Sequence, residues 1–423
     1  MGPVVAAVVA VALIYVGVVA AASFGSQQQG IAAMQQQQQQ QAVCLGLCRR
    51  PVDWWVMLKH PAGYQYSYVD SSMLGNSSNS SSSSTGACPG GTCWRHRLSM
   101  LNPNPVAHTL AALAAAAAAR KQDAGSKAAA GAAELAYVLY NDADPAGVEH
   151  FDFAHAKGVA AFSSSSSNSS SFLGFWLVHS APIFPQQPSV PGFDQLNRSQ
   201  AVFGQHFSCV SLAGAASVNA VAQLLLVAGP YVYSSSLPAA AAAVFPAWQQ
   251  LLAGGSDQQQ HSVEAVLRTP GQQQLLGFAK TKFLVEQLTD AVVGPGLGSS
   301  MLWETWRRSH DALPSQCGQD TGHLSSLNVQ QVAFPGTPYR WPWSLDHSKW
   351  GVSVQGSSSG SNGSSGSNGA GGGSVVCLGD MNRAAWQAHR GGGYVCMQHH
   401  GLWQAFTSIV AAVEECVTEG YGK

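Results

Sequence analysis

Charge is scarce in this sequence: Lys and Arg number 20, Asp and Glu 21, and charged residues make up 10% of 423. A formal charge of −1 at pH 7 excludes a protein that grips a polyanion by bulk attraction at neutrality. Acid changes that balance, because the fourteen histidines added to the 20 basic residues against 21 acidic ones give an upper bound of +13. The bound is reached somewhat below the ordinary histidine pKa of about 6.5, so acid is where a polyanion would be held. Long apolar runs are also missing after the first, from Val4 to Ala22, which excludes a multi-span membrane protein. That first run lacks a basic flank and ends in small residues at Ala20-Ala21-Ala22-Ser23. It reads as a secretory signal over residues 1–22, with an uncleaved anchor as the alternative.

Complete cysteine pairing is excluded as well: the count of nine is odd, so one thiol is free or pairs outside the chain. Cys44-x3-Cys48 and Cys88-x4-Cys93 have spacings that suit zinc, but the secretory signal and the sequons at Asn76, Asn79, Asn168, Asn197 and Asn362 favour disulfides.

Much of what is present is filler. Gln27 to Gln41 is glutamine-rich, Ser77 to Ser84 and Ser163 to Ser171 are serine tracts, Val106 to Ala133 is mostly alanine, and Gly356 to Gly373 is Gly/Ser/Asn. Such tracts bury too little apolar area to offset ordering entropy and read as flexible insertions, although the alanine tract has helical propensity. Between them, Pro51 to Pro61 and Tyr64 to Ser71 read as a hairpin turning at Ala62-Gly63, and Leu135 to Asp142 as a strand. Ala154 to Phe162 and Gly174 to Pro182 read as a second hairpin. Ser217 to Gly229 and Pro238 to Leu252 have helical composition, and Leu275 to Lys280 and Leu327 to Gly336 are strand-like. Leu284 to Gly294 carries helical spacing with a glycine stop. Leu402, Phe406, Ile409, Val413 and Cys416 fall on one face of an expected closing helix. The second half then mirrors the first, giving a Gln-rich linker at 23–43 and halves at 44–230 and 231–423.

The chemistry is concentrated in a motif that occurs twice, His155-Ala156-Lys157 and His347-Ser348-Lys349. In an extended segment alternate side chains share a face, so each histidine points the same way as its lysine. One His-x-Lys pair is an ordinary chance event; two, each opening a strand-like run in a separate half, are not. Cleaving a phosphodiester without a metal takes a nucleophile, an acid for the leaving oxygen, and fixed positive charge on the phosphoryl oxygens. Two histidines and two lysines fill those roles: one imidazole forms a phosphohistidine, and the other protonates the alkoxide and then activates water.

The ordered segments "PVDWW", "LAYVLYND", "HAKG", "GFWLVHSAPIFP", "FGQHFSCVS", "LNVQQVAFPG", "DHSKWGVS" and "GDMNRAAWQAHRGGG" resemble the deoxyribonuclease II family of acid endonucleases, from about Cys44 to the C-terminus. That family is related to the phospholipase D superfamily. The resemblance implies a mixed α/β fold of two similar sheet-and-helix halves, related by an approximate two-fold, with one active site at their junction. It implies metal-independent, cofactor-free cleavage of DNA without sequence preference at acid pH, leaving 3′-phosphate ends, in lysosomes or vacuoles or after secretion. Carried over to this sequence, it makes His155, Lys157, His347 and Lys349 catalytic, with His155 preferred as nucleophile. His179, Asp346, Asp380, Asn382 and Arg383 then support the phosphate. It also implies the pairs Cys317 with Cys416 and Cys377 with Cys396. Cys44 matches a family cysteine, but Ala201 stands at its usual partner's place, which leaves Cys48 or Cys209. An acidic residue that the family often has after the first motif is replaced here by the serine tract at Ser163, removing charge support for His155 from that position.

Other features have plainer readings. Trp54, Trp55, Trp341 and Trp343 suit a core as well as base stacking, Arg390 to Gly393 suits a tight turn as well as a phosphate loop, and Arg307-Arg308 suits solvated surface. Two other functions use the same residues: a phosphodiesterase acting on phospholipids, and a secreted nucleic-acid binder that kept the scaffold without turnover. The sequence is silent on whether the chain forms a homodimer.

Overall fold

The computed structural model describes residues 42–74, 93–123, 135–165, 168–257, 259–318, 324–354 and 373–416. The apolar N-terminal run, the glutamine tract, Ser77 to Ser84 and all of the Gly/Ser/Asn tract except Gly373 lie outside them. The fold is mixed α/β, with two large sheets and several helices.

The first sheet holds β1 (Trp54–Lys59), β2 (Gln65–Asp70), β3 (Arg95–Ser99), β4 (Ala136–Asn141), β5 (Lys157–Ser165), β6 (Asn168–His179), β7 (Gln205–Ala213) and β8 (Val232–Ser236). Their order is β3-β2-β1-β7-β6-β5-β4-β8. The second holds β9 (Ser262–Arg268), β10 (Gln274–Lys280), β11 (Met301–Glu304), β12 (Ser326–Ala333), β13 (Arg340–Pro342), β14 (Trp350–Ser353), β15 (Val375–Gly379), β16 (Gly392–Gln398) and β17 (Val410–Val413). Its order is β13-β12-β11-β14-β15-β16-β10-β9, with β17 paired on β12.

Strand β1 shows why these residues choose strands buried on both faces. Trp54, Val56 and Leu58 enter one apolar cluster and Trp55 and Met57 another, following the two-residue alternation of a pleated strand. The first cluster joins side chains of both sheets around helix Gly214–Ala228. The second packs the outer face of the first sheet against helix Pro105–Asp123. A third, around Phe278, Trp303 and Tyr394, covers the outer face of the second sheet. The central helix lies so close to β10 that a Cβ on Gly277 would collide with Leu224. It ends at Gly229, whose φ of 72° is the left-handed conformation that glycine adopts without strain.

Both expected hairpins form, β1 with β2 and β5 with β6, antiparallel. The tract Ser163 to Ser171 is corrected from an insertion to strand: Ser163–Ser165 ends β5 and Asn168–Ser171 begins β6. Backbone hydrogen bonds to a facing strand satisfy a polar segment whatever its composition, so the hairpin runs on past its apolar part. The alanine tract is helical from Pro105 to Asp123. The expected helix over Leu284 to Gly294 begins only at Leu288. The closing helix is shorter than expected, His400–Thr407, and Val410–Val413 instead pairs antiparallel with β12. Branched residues suit a strand, and an open edge was there to receive them. Cys416 is held to Cys317, alongside Cys44–Cys209 and Cys377–Cys396; Cys48 is a free, exposed thiol. Trp54, Trp55 and Trp341 are buried.

Candidate active site

Both His-x-Lys segments enter a strand at its N-terminal end: Lys157 is the first residue of β5, and Lys349 immediately precedes β14. Backbone bonds then seat each histidine. The His155 N–H donates to the Gly391 carbonyl at 2.9 Å, while Ala154 N–H donates to Gly229 at the end of the central helix. The His347 N–H donates to the Gly204 carbonyl, also at 2.9 Å. No side chain fits at Gly391, where a Cβ would strike the Ala228 carbonyl oxygen.

The His155 ring donates from Nδ1 to the Asp380 carbonyl oxygen at 2.7 Å, and its Nε2 lies 3.9 Å from Asp142 Oδ2. A carbonyl only accepts, so Nδ1 carries the proton and the neutral ring presents a lone pair at Nε2. Asp142, just beyond β4, pairs with the Lys157 ammonium and, at 3.0 Å, with Arg390. Asp380 Oδ1 accepts from the Lys157 backbone N–H at 3.2 Å. His347 has aromatic neighbours instead. Phe203 stacks on it at 4.6 Å and 11°, and Trp306 meets it edge-on at 3.9 Å and 81°. The Gln205 amide nitrogen is 3.5 Å from His347 Nδ1, and its oxygen accepts from Ser180 at 2.5 Å. Lys349 Nζ donates to the His347 carbonyl at 2.6 Å.

The two motifs belong to one electrostatic cluster. Burial, followed by the Lys157 ammonium, holds the His155 pKa well below its ordinary value, and Lys349 acts in the same direction. Burial, then Lys349 and Lys157, depress His347 to about 2. Burial, then Lys157, lowers Lys349 to about 7. Burial raises Asp380 to about 7 against the opposing pull of Lys157 and Lys349. Burial alone would raise Asp142 too, but Lys157, His155 and Arg390 outweigh it and hold that carboxyl below its usual range.

Of the supporting residues expected from the sequence, His179 is fully buried beside Phe184 and Phe207, and burial, then Lys157, lowers its pKa to about 3. Asp346 accepts from Trp341 Nε1 at 2.7 Å and from the Ser348 N–H at 2.9 Å, which shapes the second motif. Asn382 is buried, and its side-chain oxygen has no partner among the described residues. Arg383 does not join them. Its guanidinium is taken up by Asp290 at 3.0 Å, Asn328 at 2.6 Å and the Pro314 carbonyl at 3.1 Å, which leaves no face for a phosphate.

Sequence reasoning missed Asp142, which supplies the charge support for His155 that Ser163 lacks, and missed His206, whose Nδ1 accepts from the Lys349 N–H at 3.1 Å. Arg390 is an ion-pair partner rather than only a turn residue, and Arg307 is buried against Glu414 rather than solvated. The bound of +13 is corrected as well. Burial lowers the pKa of seven of the fourteen histidines, His60, His96, His108, His155, His179, His206 and His347, so charge at mild acid comes from fewer groups.

Comparison with known proteins places the chain among nucleases. Deoxyribonuclease-2-alpha of Sus scrofa is 29% identical over 393 residues, covering 89% of this chain and 91% of that protein. Deoxyribonuclease-2-alpha of Bos taurus is 32% identical over 288 residues, 67% of this chain and 70% of that protein. Cell death-related nuclease 6 of Caenorhabditis elegans is 31% identical over 285 residues, 66% and 68% respectively. The family model described as Deoxyribonuclease II matches residues 43–416, a span that holds both His-x-Lys motifs and the disulfides Cys44–Cys209, Cys317–Cys416 and Cys377–Cys396, and the chain belongs to that family.

Proposed function

We propose that the chain is an acid endodeoxyribonuclease that hydrolyses DNA phosphodiesters through a phosphohistidine, without a metal, leaving 3′-phosphate ends. The observation that carries this reading is that both His-x-Lys motifs meet at the end of β15: the Gly379 N–H donates to the Lys349 carbonyl at 3.1 Å, and the next residue, Asp380, accepts from His155 Nδ1 at 2.7 Å and from the Lys157 N–H at 3.2 Å. Two approximately two-fold-related halves account for it: the antiparallel order β1-β7-β6-β5-β4 repeats as β10-β16-β15-β14-β11, with a motif at β5 and at β14.

His155 is the nucleophile. Its Nε2 lone pair attacks phosphorus, the P–O5′ bond breaks, and protonated His347 gives its proton to the departing O5′. Water then attacks phosphorus, His347 takes a proton from it, and the P–N bond breaks to release the 3′-phosphate and restore His155. The lysines hold the phosphoryl oxygens. A depressed pKa keeps His155 neutral and nucleophilic in acid. Burial and, after it, the Lys349 and Lys157 cations depress His347; a bound phosphodiester anion opposes the cations and so favours the proton that His347 must deliver.

Acid also charges Lys349 and neutralises Asp380, both poised at about 7, so the site gains positive charge as pH falls. The disulfides and the family fit a lysosomal or secreted protein. The test is plasmid nicking in EDTA at about pH 5, comparing wild type with His347→Ala and Lys349→Ala, with end-group analysis. Cleavage that survives EDTA, leaves 3′-phosphates and vanishes in both variants supports the reading. DNA retention without cleavage favours a binder, and turnover of phospholipid diesters alone favours the lipid enzyme.

A further inference from the structure

Two buried lysines outside the catalytic set occupy matching places. Lys59 ends β1 and stands opposite Gln205; Lys280 ends β10 and stands opposite Gly392. Both are fully buried, and neither forms an ion pair among the described residues. Each ammonium is saturated by three carbonyl oxygens. Lys59 Nζ donates to His60 and Gly63 at 2.8 Å and to Ala201 at 3.0 Å. Lys280 Nζ donates to Thr281 at 3.3 Å, Leu284 at 2.9 Å and Ala388 at 2.8 Å. The carbonyls come from the residue after each lysine, from the fourth after it, and from a loop in the same half.

Those loops are the ones that seat the histidines. Three residues after Ala201 is Gly204, whose carbonyl receives His347; three residues after Ala388 is Gly391, whose carbonyl receives His155. The connection crosses between halves, because each lysine stands in one half and the histidine at the end of its chain of contacts in the other. An ammonium offers three donors and no acceptor, which matches three converging carbonyls, and a buried cation is kept only where such partners compensate its desolvation. Burial draws both lysines down to about 8, so they remain charged at acid pH.

We propose that Lys59 and Lys280 are positioning residues that fix the two catalytic histidines across the half-to-half junction, Lys59 setting His347 and Lys280 setting His155. The inference rests on the phosphodiesterase reading and adds to it two separable kinetic signatures. Lys59→Met loosens the proton donor, and Lys280→Met loosens the nucleophile. DNA has an alkoxide leaving group that needs a proton, whereas thymidine 3′-(4-nitrophenyl phosphate) releases nitrophenolate, which leaves without one.

Misplacing a catalytic group by about 1 Å costs about 100-fold, so Lys59→Met should lose about 100-fold on plasmid DNA but less than about 5-fold in single-turnover nitrophenolate release from the ester, the step that precedes water activation by His347. Lys280→Met should lose about 100-fold on both. The ratio of the two activities within one sample does not depend on how much of it is folded; Lys59→Gln and Lys280→Gln, which keep two donors, replace the methionine variants if those do not fold. Parallel losses in the Lys59 variant, an unchanged ester rate in the Lys280 variant, or no loss in either would overturn the proposal. A wild type inactive on both substrates would sink the phosphodiesterase reading instead.

Discussion

His155 and His347 are seated by the same backbone device, an N–H to a glycine carbonyl at 2.9 Å, yet their side chains meet opposite surroundings. Around His155 stand Asp142, Lys157, Arg390 and the Asp380 carbonyl; around His347 stand Phe203 and Trp306. The polar socket fixes one tautomer and offers a carboxylate against the positive charge that grows on an attacking imidazole. The aromatic socket clamps a ring without fixing its proton. On the proposed mechanism, matching scaffolds with unlike sockets give two identical side chains different work.

The comparison breaks most sharply if the sockets are emptied. His155→Ala should abolish turnover of every phosphodiester, whereas His347→Ala should abolish DNA cleavage and retain part of the single-turnover nitrophenolate release from the ester, because general acid catalysis contributes about 100-fold to 10,000-fold only where the leaving group needs it. Equal loss on both substrates in the two variants would remove the division of labour. Asp142→Asn leaves Lys157 and Arg390 buried beside a neutral amide. It should lower stability by about 3–5 kcal/mol in denaturant unfolding and cut activity by about 100-fold, and an unchanged midpoint would contradict that.

Raising the pH should reduce kcat/KM through about 7: Lys349, with its pKa lowered to that point, loses its charge there, and Asp380, with its pKa raised to that point, gains one, so the site becomes less attractive to phosphate. Lys349→Arg, whose charge persists, should move that limb upward. A smaller effect is expected of Phe203→Ala, about 10-fold on DNA with little change on the nitrophenyl ester, read from the same pair of assays. Smallest of all is Arg383→Met. It should cost about 3 kcal/mol of stability, since Asp290 and Asn328 lose a buried partner, while the specific activity of the folded protein stays the same.

The parts that could be read from the sequence were those written contiguously. Each His-x-Lys pair is three residues of string, and β1, β4 and β5 announce themselves by alternating or branched apolar residues. Asp142 was hidden because its tie to Lys157, 15 residues away, depends on the register that sets Asn141 opposite Lys157. Arg390 was hidden for a similar reason, since its carboxylate lies in the other sheet's half of the chain. Arg383 misled in the other direction: its neighbours in "GDMNR" include Asp380, but its side chain turns toward Asp290 and Asn328, a direction no string records. The serine hairpin and the short last helix were decided by strands already waiting to pair, a tertiary effect that overrides local composition.

The most direct measurement is the site of the covalent phosphate. His347→Ala is mixed with thymidine 3′-(4-nitrophenyl phosphate), quenched in alkali where phosphohistidine survives, and mapped by mass spectrometry of peptides with phosphohistidine isomers distinguished. The account predicts one modified residue, His155, carrying a thymidine 3′-phosphoryl group on Nε2. That group on any other residue, on Nδ1 of His155, or product formed with no trapped intermediate under single-turnover conditions would contradict it.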